Sequence, residues 1–172
     1  MPQPKSTNIT NLVEQWGAHF GWYTGTIDLG VDDLSSFATP DCTLTAHAPV
    51  WGTRAGAERA IPIAEVRKRL AGLVRFARVA RHDMHIAVHP NGTEIALFVR
   101  LKARLAIPPI TVRTEPLAFV MRASETANGL RVSNVDEWSA ADPEAARRLL
   151  VDHHGWPAET TFQPKAAFGA VS

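Results

Sequence analysis

The chain predicts an α+β fold in which a cone-shaped, curved antiparallel sheet wraps over N-terminal helices, followed by a C-terminal helix and tail. Two observations carry that expectation. Apolar residues near the start recur at the helical interval of three or four. From Val79 to Trp138 the pattern changes to strand-length apolar runs, punctuated by the turn dipeptides Asn91-Gly92 and Asn128-Gly129. At 172 residues one domain, spanning 1–172, is the default, with the cone over 9–138 and the helix and tail over 139–172. A cone has an open mouth, and one lined by His, Asp and aromatic side chains suits a small molecule.

The elements follow in order. Met1 to Asn8 reads as a loose arm. Asn11 and Glu14 are spaced as a capping box, and Leu12, Trp16, Phe20, Tyr23 and Ile27 share one helix face. A short helix is expected over Asp32 to Ala38, with acid at its N-terminus. Thr39-Pro40-Asp41 is a turn signal, and Cys42 to His47 has strand character. Pro49 to Gly56 reads as a loop. Pro62 suits a first helical turn, with Ile63, Val66, Leu70 and Leu73 as the buried stripe. Strands are expected over Val79–His89, Glu94–Leu105, Thr111–Arg122 and Leu130–Trp138, with Pro116 marking a bulge or edge. Asp142-Pro143 opens a last helix that runs to about Asp152. The tail packs on the surface or reaches a partner.

Composition excludes several classes. Hydrophobic residues at 45% and charged residues at 20% are ordinary for a globular domain. A net charge of +1 leaves no electrostatic footprint for nucleic acid. The basic residues Arg67, Lys68, Arg69, Arg75, Arg78 and Arg81 read as a solvated face. Cys42, the only cysteine, forms no internal disulfide and no cysteine-based zinc site. No apolar run spans a bilayer and no signal peptide is visible, so a cytoplasmic location is expected. His82, His85 and His89 do not make a metal site, because alternation separates His82 from the other two. His85 and His89 would sit roughly 13 Å apart along a strand.

The helix-two-to-strand segment, Asp32-Asp33-Leu34 through Phe37-Ala38 and Pro40-Asp41-Cys42-Thr43-Leu44, and the Trp51-Gly52 loop add local detail. With the order of elements, they resemble the superfamily of nuclear transport factor 2, scytalone dehydratase, ketosteroid isomerase and the SnoaL-like polyketide cyclases. The resemblance covers about Asn11 to Trp138. It implies a small hydrophobic ligand, cofactor-independent dehydration, isomerisation or cyclisation, and a homodimer. In the dehydratase branch a His on the second strand pairs with an Asp near the end of helix one. His82 in Val79-Ala80-Arg81-His82 matches the first, and Asp28 in Thr26-Ile27-Asp28 falls beside the second. The isomerase branch would place its carboxylates near Ala46 and Leu117, which cannot do that chemistry.

A His–Asp pair in an apolar cone makes chemical sense. The carboxylate fixes the tautomer and stabilises the imidazolium formed on proton abstraction. A base of this kind is worth roughly 10²–10⁴ in rate. The expected catalytic set is His82 as base, Asp28 as its partner and Tyr23 as donor to a substrate oxygen. Trp16, Trp22, His47, Trp51, Phe98, Phe119, Asp136 and Trp138 are the expected substrate-binding residues. His47 is a second base candidate that alternation from Leu44 turns outward. Asp136 shares a simple alternation face with Leu130, Val132 and Trp138, directed into the cone. The alternative is a non-catalytic ligand-binding or assembly module of the same shape.

Overall fold

Ile95, Leu97 and Val99 are completely buried, and so, to within 1%, are the intervening Ala96 and Phe98. Successive strand residues point to opposite faces, so this strand is apolar on both sides and needs cover on both. The rest of the architecture supplies it. A computed structural model of the chain describes residues 9–20, 34–47, 60–74, 77–105, 108, 110–113 and 116–165; for 73–74, 77–82, 103 and 111–113 the backbone alone is described.

The elements are α1 (Ile9–His19), a 3₁₀ turn (Leu34–Ser36), β1 (Ala38–Ala46), β2 (Ala60–Pro62), α2 (Ile63–Val74), β3 (Ala77–Val88), β4 (Glu94–Leu105), β5 (Thr111–Arg113), β6 (Leu117–Thr126), β7 (Gly129–Ser139), α3 (Pro143–His154) and β8 (Gln163–Pro164). The eight described strands form one sheet in the order β2-β1-β7-β6-β4-β3-β8, with β5 pairing β4. All pairs are antiparallel except β1 with β7, so the sheet is mixed. It ends at β2 and β8 and is therefore open, not a closed barrel.

Helix α1 covers the inner face. Leu12, Val13, Trp16 and Phe20 are buried in one cluster with Phe37, Leu97, Val99, Phe119, Met121 and Val135. The Trp16 ring stacks on Phe20 at 4.2 Å and meets Phe37 edge-on at 6.1 Å. Helix α3 covers the outer face, where Ala146 and Leu150 pack with Phe98, Ala118 and Val120. Its N-cap is Asp142, whose Oδ1 accepts from the Ala145 N–H at 2.7 Å. Gly155 ends it in the left-handed region at φ 66°, where a side chain would be strained. The tail then returns along the edge, and β8 pairs with His85 and Ile86 of β3.

Several expectations need correction. Helix α1 starts at Ile9, so Asn11 lies inside it and caps nothing. The expected helix over Asp32 to Ala38 is, where described, one 3₁₀ turn, because Ala38 already enters β1. Thr39-Pro40-Asp41 lies within β1, in the stretch between Ala38 and Thr43 where the register shifts. Proline lacks the N–H that a regular ladder needs there. The expected strand Thr111–Arg122 is two strands, with Pro116 just before the second. Arg67 is not on a solvated face. It is 3% exposed, and its Nε donates to the His19 carbonyl at 3.1 Å, satisfying the end of α1.

The Leu97→Ala variant is expected to lose about 2–5 kcal/mol of stability in urea denaturation. Val88→Ala, at a residue 47% exposed, should change little.

Candidate functional site

Strand β7 carries Asp136, Glu137 and Trp138, and its pairing on both sides decides where each one points. Phe119 of β6 and Ala46 of β1 both stand opposite Glu137. Directly paired residues share a face, and Phe119 belongs to the inner cluster. Glu137 therefore faces the cone. Val120 and Thr45 stand opposite Asp136, and Ala118 opposite Trp138. Val120 and Ala118 pack beneath α3, so Asp136 and Trp138 face outward. The expectation that both line the cone is corrected. The cause is a register shift between Arg122 and Ala123 that leaves Ser133 as an extra residue on β7. Val132 and Val135, three apart, are both inward as a result.

The outer face holds a polar cluster under α3. His47 Nε2 and Asp136 Oδ1 are 2.8 Å apart, and the two side chains are 15% and 14% exposed. The His47 ring stacks on Trp138 at 4.0 Å and 11°. Trp138 Nε1–H donates to His154 Nε2 at 3.1 Å. That bond requires an unprotonated Nε2. Burial holds the His154 imidazole below its usual 6.5, opposed by the charge of Asp136. His47 is thus paired with a carboxylate, but on the face away from the cone.

Glu137 is the group that the sequence reading missed. It is 8% exposed and sits among apolar neighbours. No hydrogen bond or ion pair to its carboxyl is found among the described residues. Desolvation alone pushes its pKa up from 4.5 to about 7. Such a carboxyl can hold or release a proton near neutral pH, the condition for general acid–base chemistry. Its only sequence signal was an acid one residue from the assumed inward position.

Among the other expected residues, Trp16 and Phe119 lie on the inner side, with ring centroids 6.2 Å apart. Phe98 faces α3 with Ala118 and Ala146, not the cone. Asp28, Tyr23, Trp22 and Trp51 lie outside the described residues. His82 belongs to β3, at a register shift between Arg81 and Asp83; its side chain lies outside the described residues. The Cys42 thiol is pushed up to about 12 by burial and by Asp41, so it is no nucleophile. Among the described residues no three His, Cys, Asp or Glu side chains converge as metal ligands. No described helix is long and apolar enough to cross a membrane.

No family model matches the sequence, and no curated protein matches it. Solved structures do match. A provisionally assigned polyketide cyclase from Xanthomonas campestris superposes with a TM-score of 0.52 at 13% identity, covering 78% of this chain and 92% of that one. A provisionally assigned scytalone dehydratase from Novosphingobium aromaticivorans gives 0.53 at 13%, covering 77% and 82%. A provisionally assigned SnoaL-like polyketide cyclase from Jannaschia gives 0.50 at 20%, covering 78% and 89%. The chain has the fold of these proteins. At such identities the likeness is one of fold alone.

Two expected outcomes follow from the protonation states. Glu137 has a folded pKa above its unfolded one, so it stabilises below about 4.5 and that contribution is lost as pH rises through about 7. The shift corresponds to roughly 3 kcal/mol. In urea denaturation Glu137→Gln should be more stable than the parent at pH 8 and similar near pH 5; an unchanged pH profile would remove the assignment. His154 has the opposite sign. Its contribution is present above 6.5 and lost as pH falls through the lower folded value. The Trp138 indole N–H resonance should move in that acid range, and in His154→Ala it should not titrate.

Proposed function

We propose that this chain is a cofactor-independent enzyme that takes a small, apolar, ring-containing molecule into the cone and moves a proton on it, as a dehydratase, isomerase or cyclase would. The observation that carries the reading is Glu137, a buried carboxyl on the apolar inner face with no partner among the described residues and its pKa raised to about 7. A surface carboxylate is too weak a base at neutral pH to serve. A desolvated one is matched to removing a proton alpha to a carbonyl. The dehydratase-like resemblance contributes His82, Asp28 and Tyr23 as base, orienting acid and oxygen donor. In this reading Glu137 acts with them from β7. A polyketide- or terpenoid-like ring is the class of substrate the resemblance suggests. The same reading includes a homodimer, which light scattering at high concentration checks.

The test needs no knowledge of the natural substrate. 1-Tetralone in deuterated buffer is incubated with the protein, and loss of its alpha-proton signal is followed by NMR. Exchange should exceed the buffer rate, and Glu137→Gln should lower it by about 10²-fold or more. His82→Ala should do likewise if the imidazole shares the proton transfer. A folded protein that binds the ketone without exchange, in parent and variants alike, is a binding module and not an enzyme.

A further inference from the structure

Imidazoles gather at one boundary of this molecule. The chain has seven histidines, and five of them, His47, His85, His89, His153 and His154, meet the join between the outer face of the sheet and the cover formed by α3 and the tail. Three surround Trp138. His47 stacks on its ring at 4.0 Å, His153 tilts against it at 4.9 Å, and His154 accepts its indole N–H at 3.1 Å. Trp156, two residues beyond His154, is buried with Leu150 and Val120, and His89, just past β3, meets its ring edge-on at 5.0 Å. His85 stands opposite Pro164 of β8.

Two of these rings serve as acceptors. His154 Nε2 takes the Trp138 N–H, and His89 Nδ1 takes the Asn91 backbone N–H at 3.1 Å. A ring nitrogen that accepts carries no proton, so charging either ring sets N–H against N–H. Counter-charges are unevenly placed. Asp136 lies 2.8 Å from His47 and Asp83 lies 3.2 Å from His85. Among the described residues, His89, His153 and His154 have no such carboxylate in contact. The charges facing His154 are Asp136 of β7 and Glu94 of β4, which favour its protonation, and Arg122 of β6 and His47, which oppose it together with burial. The cover is tied together within itself. Arg147 of α3 holds Glu144 and donates to the Ala158 carbonyl at 2.8 Å, joining the tail to the helix.

We propose that this boundary is an acid-sensitive latch: protonation of His154, with His153 and His89 charging beside it, frees α3 and the tail from the outer face while the inner core stays folded. The face so uncovered carries Ala96, Phe98, Ala118 and Val120, and the edge of β3 opens at His85 and Ile86. Imidazoles change charge in mild acid, where few other side chains do. The sign agrees with the lowered His154 value: its share of stability is present above 6.5 and declines as pH falls below it. Glu137, on the inner face of β7, works the other way, since taking up a proton strengthens the core as pH falls. The two faces of one strand therefore respond to acid in opposite directions.

The test is amide hydrogen exchange read by mass spectrometry between pH 8 and about pH 5, corrected for the intrinsic pH dependence of exchange. Protection across residues 143–165 should fall about tenfold in acid, while protection across residues 94–99 holds or rises. The midpoint of that loss should coincide with the movement of the Trp138 indole N–H resonance. His154→Gln offers an amide oxygen in place of Nε2 and cannot take a charge. It should keep the cover protected at pH 8 and lose most of the acid response. Unchanged protection across 143–165, an equal loss across 94–99, a midpoint apart from the Trp138 titration, or a His154→Gln protein with the full parental response would each overturn the proposal. The first three are read on the parent protein and decide even if the variant does not fold.

Discussion

The period of two along β7 is the constraint on which the polar chemistry of this molecule depends. Asp136 and Glu137 are adjacent in sequence, yet the sheet holds one acid outside and the other inside. Pairing with β1 on one side and β6 on the other leaves no freedom to slip, because a one-residue shift would exchange the two faces. The adjacent carboxyls then have unrelated fates. Asp136 keeps a histidine partner and some solvent. Glu137 loses water and has no partner among the described residues, and its proton affinity rises with burial.

That arrangement illustrates how little a carboxyl's identity says about its reactivity. The outer cluster of His47, Asp136, Trp138 and His154 is joined by stacking, an ion-pair contact and an indole hydrogen bond that tie the sheet to α3, while His154 Nδ1 is buried without a partner among the described residues. A cluster so connected mainly fixes geometry. Glu137 differs in having its proton affinity raised towards neutrality by burial on the inner face, which is why it and not the histidine pair bears the functional reading.

Much of the architecture was legible from local chemistry. The span Glu94–Leu105 is the strand seen, Asn91-Gly92 makes the preceding turn with Gly92 at φ 73°, and Asp142-Pro143 opens α3. These signals are local, so the sequence carries them openly. The inward face of β7 was not legible, because one bulged residue near Ser133 inverts every side chain that follows. Counting alternation from Leu130 therefore put Asp136 and Trp138 inside and left Glu137 unnoticed. Phe98 was misplaced for a different reason: both faces of its strand are apolar, so pattern alone cannot say which helix it meets. The parallel junction of β1 with β7 is a matter of long-range pairing that no local signal encodes.

The ends of the sheet bear on how copies of this chain can meet. At one end lies β8, two residues long, continued by Lys165, whose Nζ reaches Glu14 of α1 at 3.6 Å. At the other lies β2, three residues long and closed by Pro62. β8 occupies the outer side of β3 at His85 and Ile86, and β2 that of β1 from Thr43 to Thr45, so a neighbouring chain cannot extend the ladder at those positions.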